Sequence, residues 1–243
     1  MPSRTTTDGA KTQTRDIPCS KLEAQLTLSA LGPYTNLHIL DLGGGSGLHA
    51  RRAISAGAAS VDVLDISVEM KKIGQDIEAQ LGRGPGTGKE KTRWFAADLS
   101  RPLSEQDVHA ELRSEGYDVD LRAIWGNVVA YLKPVGKFLG VRVQNVRAEY
   151  MARGKYGVTF TEVEEIPGGL AYNCNCLTEP PFSFGATSME ETYKLEDTIP
   201  RELGLVGIEA VNPEETEVVK GDVEFWKDFV ADPNLTVVVM GKP

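Results

Sequence analysis

Cysteine is scarce in this chain. Cys19, Cys174 and Cys176 are the three cysteines among 243 residues. A sparse, odd number makes no disulfide framework and fits a reducing compartment. Cys174-x-Cys176 places two thiols on one strand face, but no pair of histidines lies near to complete a zinc site, so no metal is expected. No apolar run reaches the roughly 18 residues of a membrane span. Residues 1–18 have no apolar core, so no secretory leader is expected there, and their polar, aperiodic composition predicts a disordered tail. Basic charge is also short: 26 Lys+Arg stand against 35 Asp+Glu, a net charge of −9. That balance argues against a broad nucleic-acid or anionic-membrane surface. Gly-Lys-Ser/Thr is absent, which excludes a phosphate-binding P-loop. The expectation is a cytoplasmic protein with a small-molecule substrate and neither nucleic acid nor membrane as partner.

What remains is ordinary globular material, 41% hydrophobic and 25% charged, long enough to bury its own core. Lys21–Leu31 carries Leu22, Leu26 and Leu31 at helical spacing. His38–Leu42 is a short apolar run entering GGGSG, a buried strand into a tight turn. Leu48–Gly57 repeats apolar residues as one helix face. Ser60–Ile66 is a second strand, and Ser67 is placed to cap a helix with Met70, Ile73, Ile77 and Leu81 on one side. Arg93–Ala97 is a third strand, closed by Asp98. Leu121–Leu132 (helix), Lys137–Val143 (strand), Val206–Val211 (strand), Val223–Val230 (helix) and Leu235–Met240 (strand) continue the alternation. Residues 144–188 interrupt it with many aromatics and a hairpin signal at Pro167-Gly168-Gly169. Strands alternating with amphipathic helices predict βαβ units and a parallel sheet.

Asp41-Leu42-Gly43-Gly44-Gly45-Ser46-Gly47 is the most informative segment. Glycines after a buried strand permit positive φ and close approach of a ligand to bare backbone. The following helix start presents N–H groups and a positive dipole end. A dinucleotide site wants G-x-G-x-x-G. Leu48 stands where the last glycine belongs, which disfavours a nucleoside-binding oxidoreductase. The acid at the loop start suits a cationic ligand. Asp65 ends the second strand, the position that bonds ribose hydroxyls in doubly wound sheets, and Asp98 can accept from an exocyclic amine. Three carboxylates on adjacent strand ends suit a ligand with a ribose, an adenine and a positive charge, which a sulfonium nucleoside combines.

Asp41–Gly47 resembles the first motif of the class I S-adenosylmethionine-dependent methyltransferases. VLDIS with Met70 resembles their second motif and FAADLS their third. The long tract from TFTEVEEIPGGLAYNC to VVVM resembles small fungal methyltransferases of secondary metabolism. The resemblance implies an α/β, Rossmann-like, doubly wound and mostly parallel seven-stranded sheet with an antiparallel last strand. It implies one methyltransferase domain over residues 19–243, with residues 144–188 as a substrate lid. It also implies S-adenosyl-L-methionine as cofactor, held by Asp41, Gly43, Gly45, Gly47, Asp65, Ile66, Met70, Asp98 and Leu99. By spacing alone Met70 reads as core. The acceptor implied is an oxygen of a small natural product.

One feature runs against an active enzyme. Between Asp98 and Phe138 the chain must hold a helix over Ser104–Glu115, a strand over Tyr117–Leu121 and a second helix, with no residues left for the loop after the strand. Asp118 and Asp120 also alternate with Val119 and Leu121, unlike a strand covered on both faces. A truncated fourth strand is therefore expected, and a binding or partner subunit of the same fold is the rival reading. No catalytic base stands out either. His38 starts the first strand at the wrong end, His49 follows the glycine loop and His109 lies on the expected third helix. Tyr156, Glu164 and Tyr172 are candidates by location only.

Overall fold

The computed structural model describes residues 17–106, 120–190, 194 and 196–243. In chain order its elements are α1 (Pro18–Leu31), β1 (His38–Leu42), α2 (Leu48–Ser55), β2 (Ser60–Asp65), α3 (Val68–Gln80), β3 (Thr92–Ala96), α4 (Leu121–Tyr131), β4 (Lys137–Val143) and α5 (Glu149–Ala152). There follow β5 (Val158–Ile166), β6 (Gly169–Cys176), β7 (Phe182–Met189), α6 (Thr198–Glu202), β8 (Val206–Ala210), α7 (Glu217–Gly221), α8 (Val223–Ala231) and β9 (Leu235–Gly241). They divide into two compact units. One comprises Leu31–Gly136, Ile199–Leu205 and Lys242–Pro243; the other comprises Met1–Ala30, Lys137–Thr198 and Val206–Gly241.

The first unit holds the parallel sheet β1-β2-β3, with Asp41 beside Val63 and Asp65 beside Ala96. Side chains alternate across a strand, so each face builds its own core. Val61 and Val63 pack with Ala50 and Ala53 of α2 and with Tyr34, while Leu64 packs on the opposite side with Ala97 and Leu103. Burial on both faces is what a parallel sheet with crossover helices requires. Ser67 caps α3 as expected, its hydroxyl accepting from the Met70 amide at 3.2 Å. The buried face of α3 is the expected one, with Met70, Ile73 and Ile77 partly buried, except at its end. Gly74 and Glu78 are buried, whereas Leu81 is 55% exposed. Asp120 caps α4, accepting from the Arg122 and Ala123 amides at 2.9 and 3.1 Å.

The second unit contains two antiparallel sheets, β4-β9-β8 and β5-β6-β7. The last strand is antiparallel to both its neighbours, as expected. The hairpin signal at Pro167-Gly168 joins β5 to β6, with Gly168 at φ +73°. Ile17 is buried, and α1 begins at Pro18, three residues before the helical spacing starts. The core gathers Leu22 and Leu26 of α1, Trp226 and Phe229 of α8 and one face of β6 around Tyr156. The Tyr156 ring stacks on Trp226 with centroids 4.7 Å apart. Its hydroxyl donates to the Phe225 carbonyl at 3.0 Å and accepts from the Phe229 amide at 3.1 Å. All three cysteines are buried as free thiols, and burial pushes Cys19 up to about 12, which makes it an unreactive thiol.

A continuous seven-stranded sheet is therefore not what the described residues form. They form nine strands in three sheets of three. The reasons are local. Residues 158–189, most of the expected insertion, fold into a sheet of their own. Leu121 starts the helix expected over Leu121–Leu132 and does not end a strand, because Asp120 supplies its N-cap. The helix expected over Ser104–Glu115 is seen only as a turn at Leu103–Glu105. Its remainder, with Val108, His109 and Leu112, lies outside the described residues, as do Tyr117, Asp118, Val119 and residues 1–16 of the tail expected over 1–18, whose last two residues are instead a buried Ile17 and the first residue of α1. No described helix is long and apolar enough to cross a membrane.

Tyr156→Ala should cost about 3–5 kcal/mol by opening a core cavity, and Tyr156→Phe about 1 kcal/mol by losing the two hydrogen bonds. Urea unfolding would measure both. Equal costs for the two variants would remove the ring stack from this account.

Candidate functional site

Strand β1 delivers the chain to the glycine loop at the C-terminal end of the parallel sheet. Gly43, Gly45 and Gly47 all adopt positive φ, at 69°, 54° and 75°. An L-residue there costs roughly 1–2 kcal/mol, which explains the alternate glycines. The Gly43 and Gly44 amides donate to the Leu64 carbonyl at 2.8 and 3.1 Å, folding the loop back over β2. Gly44 keeps ordinary φ but has no room for a side chain. A Cβ there would lie 2.6 Å from Val63 and 2.7 Å from the Asp41 carboxylate.

The Asp41 side chain thus lies directly beneath the loop. Its Oδ2 is buried with no hydrogen-bond partner among the described residues. Burial raises its pKa above the usual carboxylate value, with the nearby Asp65 pushing the same way, while His49 and the Ala50 amide pull it down. Buried carboxylate oxygens are ordinarily satisfied, and this one lies against the glycine loop with the Ala50 amide and His49 as its nearby favourable neighbours.

Asp65 is engaged differently. Its Oδ2 accepts from the Gly45 amide at 2.7 Å and its Oδ1 from the Ser67 amide at 2.8 Å. It is thus the tie between the loop and the start of α3. Ile66, next to it, is 39% exposed at the strand end. Met70 is half-buried in the first turn of α3. Asp98 comes alongside because the Ala97 amide donates to the Asp65 carbonyl at 3.1 Å. Its Oδ1 accepts from the Ser100 amide and hydroxyl at 3.0 and 2.6 Å. Leu99 is half-buried against the Leu64 cluster. The structure therefore brings Asp41, Gly45 and Asp65 into direct neighbourhood, and sets Ile66, Asp98 and Leu99 on the adjoining strand ends.

Three supports are not apparent from the sequence pattern. Arg51 is buried and donates to the Ser46 carbonyl at 2.7 Å, with Glu78 3.9 Å from the same nitrogen and Arg83 2.9 Å from Glu78. Asn127, buried on α4, accepts from the Leu103 amide at 2.9 Å and donates to the Leu99 and Arg101 carbonyls at 3.1 and 2.8 Å. Trp94 fills the space left by two glycines. A Cβ on Gly47 would sit 2.4 Å from its ring and one on Gly74 2.2 Å. Gly47 is bare where the indole lies against it.

The other candidates separate cleanly. His38 pairs with Ser60 at 2.8 Å at the opposite end of the sheet. Tyr156 and Tyr172 are buried core residues of the second unit, which accounts for them without catalysis. Two clefts, of about 150 and 380 Å³, also lie in that unit and not at the glycine loop. No cluster among the described residues could hold a metal ion.

Gly47→Ala should destabilise the protein by about 2–4 kcal/mol, combining the φ penalty with the clash against Trp94, as read by urea unfolding. Asp41 binds its proton more tightly folded than unfolded, so it lowers stability as pH rises through the window above the unfolded carboxylate value near 4. Asp41→Asn should accordingly be more stable than the parent at pH 8 and converge with it in acid, measured as urea midpoints. A difference that grows in acid would contradict this assignment.

No protein-family model and no curated protein matches this chain. Solved structures do match it along most of its length. An S-adenosylmethionine-dependent methyltransferase from Clostridium acetobutylicum is 12% identical with a TM-score of 0.56, over 97% of this chain and 98% of that one. One from Mesorhizobium loti is 17% identical at 0.53, over 94% and 100%. The glycopeptide N-methyltransferase MtfA, complexed with S-adenosyl-L-methionine, is 14% identical at 0.53, over 91% and 93%. The chain has the fold of these S-adenosylmethionine-dependent methyltransferases.

Proposed function

We propose that this protein binds S-adenosyl-L-methionine and transfers its methyl group to a small-molecule acceptor. The observation that carries this reading is the orphan Asp41 Oδ2 beneath a loop of glycines at positive φ. The residues at the loop fit the cofactor. Asp41 would set a carboxylate against its cationic end, and Gly43, Gly45 and Gly47 would let it lie on backbone. Asp65 keeps lone pairs for ribose hydroxyls, since a carboxylate can accept more than the two bonds it already makes. Ile66, Met70 and Leu99 would flank the base, and Asp98 would accept from its amine. When bound, the cofactor supplies a methyl group on a sulfonium, open to in-line displacement. The chain's own part in such a reaction is positioning and exclusion of water. The MtfA structure holds this cofactor on the same fold.

The finer reading is a cytoplasmic enzyme acting on an oxygen of a natural product of the kind made by fungal secondary metabolism. In it residues 19–243 form one methyltransferase domain and residues 144–188 roof the acceptor. The short interval between Asp98 and Phe138 favours the second reading, a cofactor-binding protein that does not catalyse.

Calorimetric titration with S-adenosyl-L-methionine and with NAD tests the cofactor. The former should bind and the latter should not. Asp41→Asn should weaken binding about tenfold or more, equal to about 1.4 kcal/mol. No binding to the parent, or unchanged binding to the variant, would sink the assignment. Transfer of radiolabelled methyl to phenolic and carboxylic acceptors separates the two readings.

A further inference from the structure

The larger of the two clefts, about 380 Å³, opens where the chain leaves β4. Residues 144–147, Leu170 of β6, and Asp232 and Pro233 just before β9 line it. All of them belong to the second unit. Its volume is that of a site for a small organic molecule. Val146 and Leu170 are buried and give it an apolar floor, while Arg147 and Asp232 are exposed at its rim. The smaller cleft is lined by no charged side chain. Here two opposite charges line one cleft, and they do not join. Among the described residues neither Arg147 nor Asp232 makes an ion pair. Asn145 links their two walls. Its Oδ1 accepts from the Arg147 amide at 3.1 Å, and its Nδ2 donates to Asp232 Oδ2 at 2.7 Å. The Tyr150 hydroxyl holds the same corner, donating to the Asp232 carbonyl at 2.5 Å. A carboxylate has room for more than the one side-chain bond Asp232 accepts, and a guanidinium carries five N–H donors.

We propose that this cleft binds a free α-amino acid with an apolar side chain. Arg147 takes its carboxylate through charge-assisted bonds, the remaining Asp232 oxygen takes its ammonium, and its side chain lies on Val146, Leu170 and Pro233. A simple carboxylic acid would use Arg147 alone and an amine Asp232 alone. A peptide end carries one charge, so the free zwitterion is what satisfies both. A nucleoside tail would find no hydrogen-bonding partner on Val146 or Leu170. The site goes beyond the methyl-transfer reading and stands without it, since none of its residues belongs to the glycine loop.

Titration of the full chain followed by methyl NMR tests it, with phenylalanine, hydrocinnamate and phenethylamine as probes. The three share a ring and differ in charge. Phenylalanine should shift the Val146 and Leu170 signals. Each single-charge probe should bind about tenfold more weakly, the size of one lost charge-assisted bond. Arg147→Gln should erase the preference for phenylalanine over phenethylamine. Asp232→Asn, which keeps an acceptor for Asn145, should erase the preference over hydrocinnamate. Both positions are exposed, so the thermal midpoints should hold, and the probe series on the parent is decisive without either variant. No binding of phenylalanine, equal binding of the three probes, or shifts that avoid Val146 and Leu170 would each overturn the proposal.

Discussion

The Asp65 carboxylate joins two turns that no backbone ladder connects. One oxygen holds the Gly45 amide and the other the Ser67 amide, so the glycine loop and the cap of α3 are fixed against a single side chain at the end of β2. With that tie in place the loop can run through three glycines at positive φ without drifting, and Asp41 is enclosed beneath Gly44. Charge-assisted bonds to amides are among the stronger ones a protein makes. The arrangement spends a charged residue on shape, and the shape then isolates a second charged residue whose own bonds are incomplete.

The surroundings follow the same logic. Arg51 and Glu78 are buried, and taking charges out of water costs several kcal/mol per ion unless good geometry offsets it. Here Arg51 holds the Ser46 carbonyl while Glu78 answers both Arg51 and Arg83. A replacement by apolar residues could pack equally well, but nothing apolar could bond the loop carbonyl. On the neighbouring strand end Asn127 does similar work, closing the turn through residues 99–103 with its amide.

How much of this was legible varied with the range of the interaction. The glycine loop, the first three strands, the Ser67 cap and the hairpin at Pro167-Gly168 are set by local chemistry, and all were visible in the sequence. The residues buried deepest on α3 were not, although the face itself was. Periodicity points to Ile73, Ile77 and Leu81, but Gly74 is buried because Trp94 arrives from β3, and Glu78 because Arg51 arrives from α2. Neither contact leaves a trace at helical spacing. The amide of Asn127 likewise leaves no trace at helical spacing, because its partners lie at residues 99–103. The three separate sheets of three were hidden for another reason: apolar runs show that strands exist, whereas which strand pairs with which is decided by partners far along the chain. The carboxylates were legible as a trio, but their division of labour, Asp41 with one oxygen unbonded and Asp65 and Asp98 tying neighbouring backbone, needed coordinates.

The indole of Trp94 lies against the backbones at Gly47 and Gly74, one at the start of α2 and one within α3. Three positions separated by up to 47 residues are thereby bound into one evolutionary unit. A methyl group gained at either glycine is intolerable while the indole stays, and loss of the indole leaves two helices with a gap that neither glycine can fill. Change here must come in a fixed order, with position 94 shrinking first. A lineage that accepts a smaller residue at 94 becomes free to vary at 74, while 47 stays glycine for the sake of its φ.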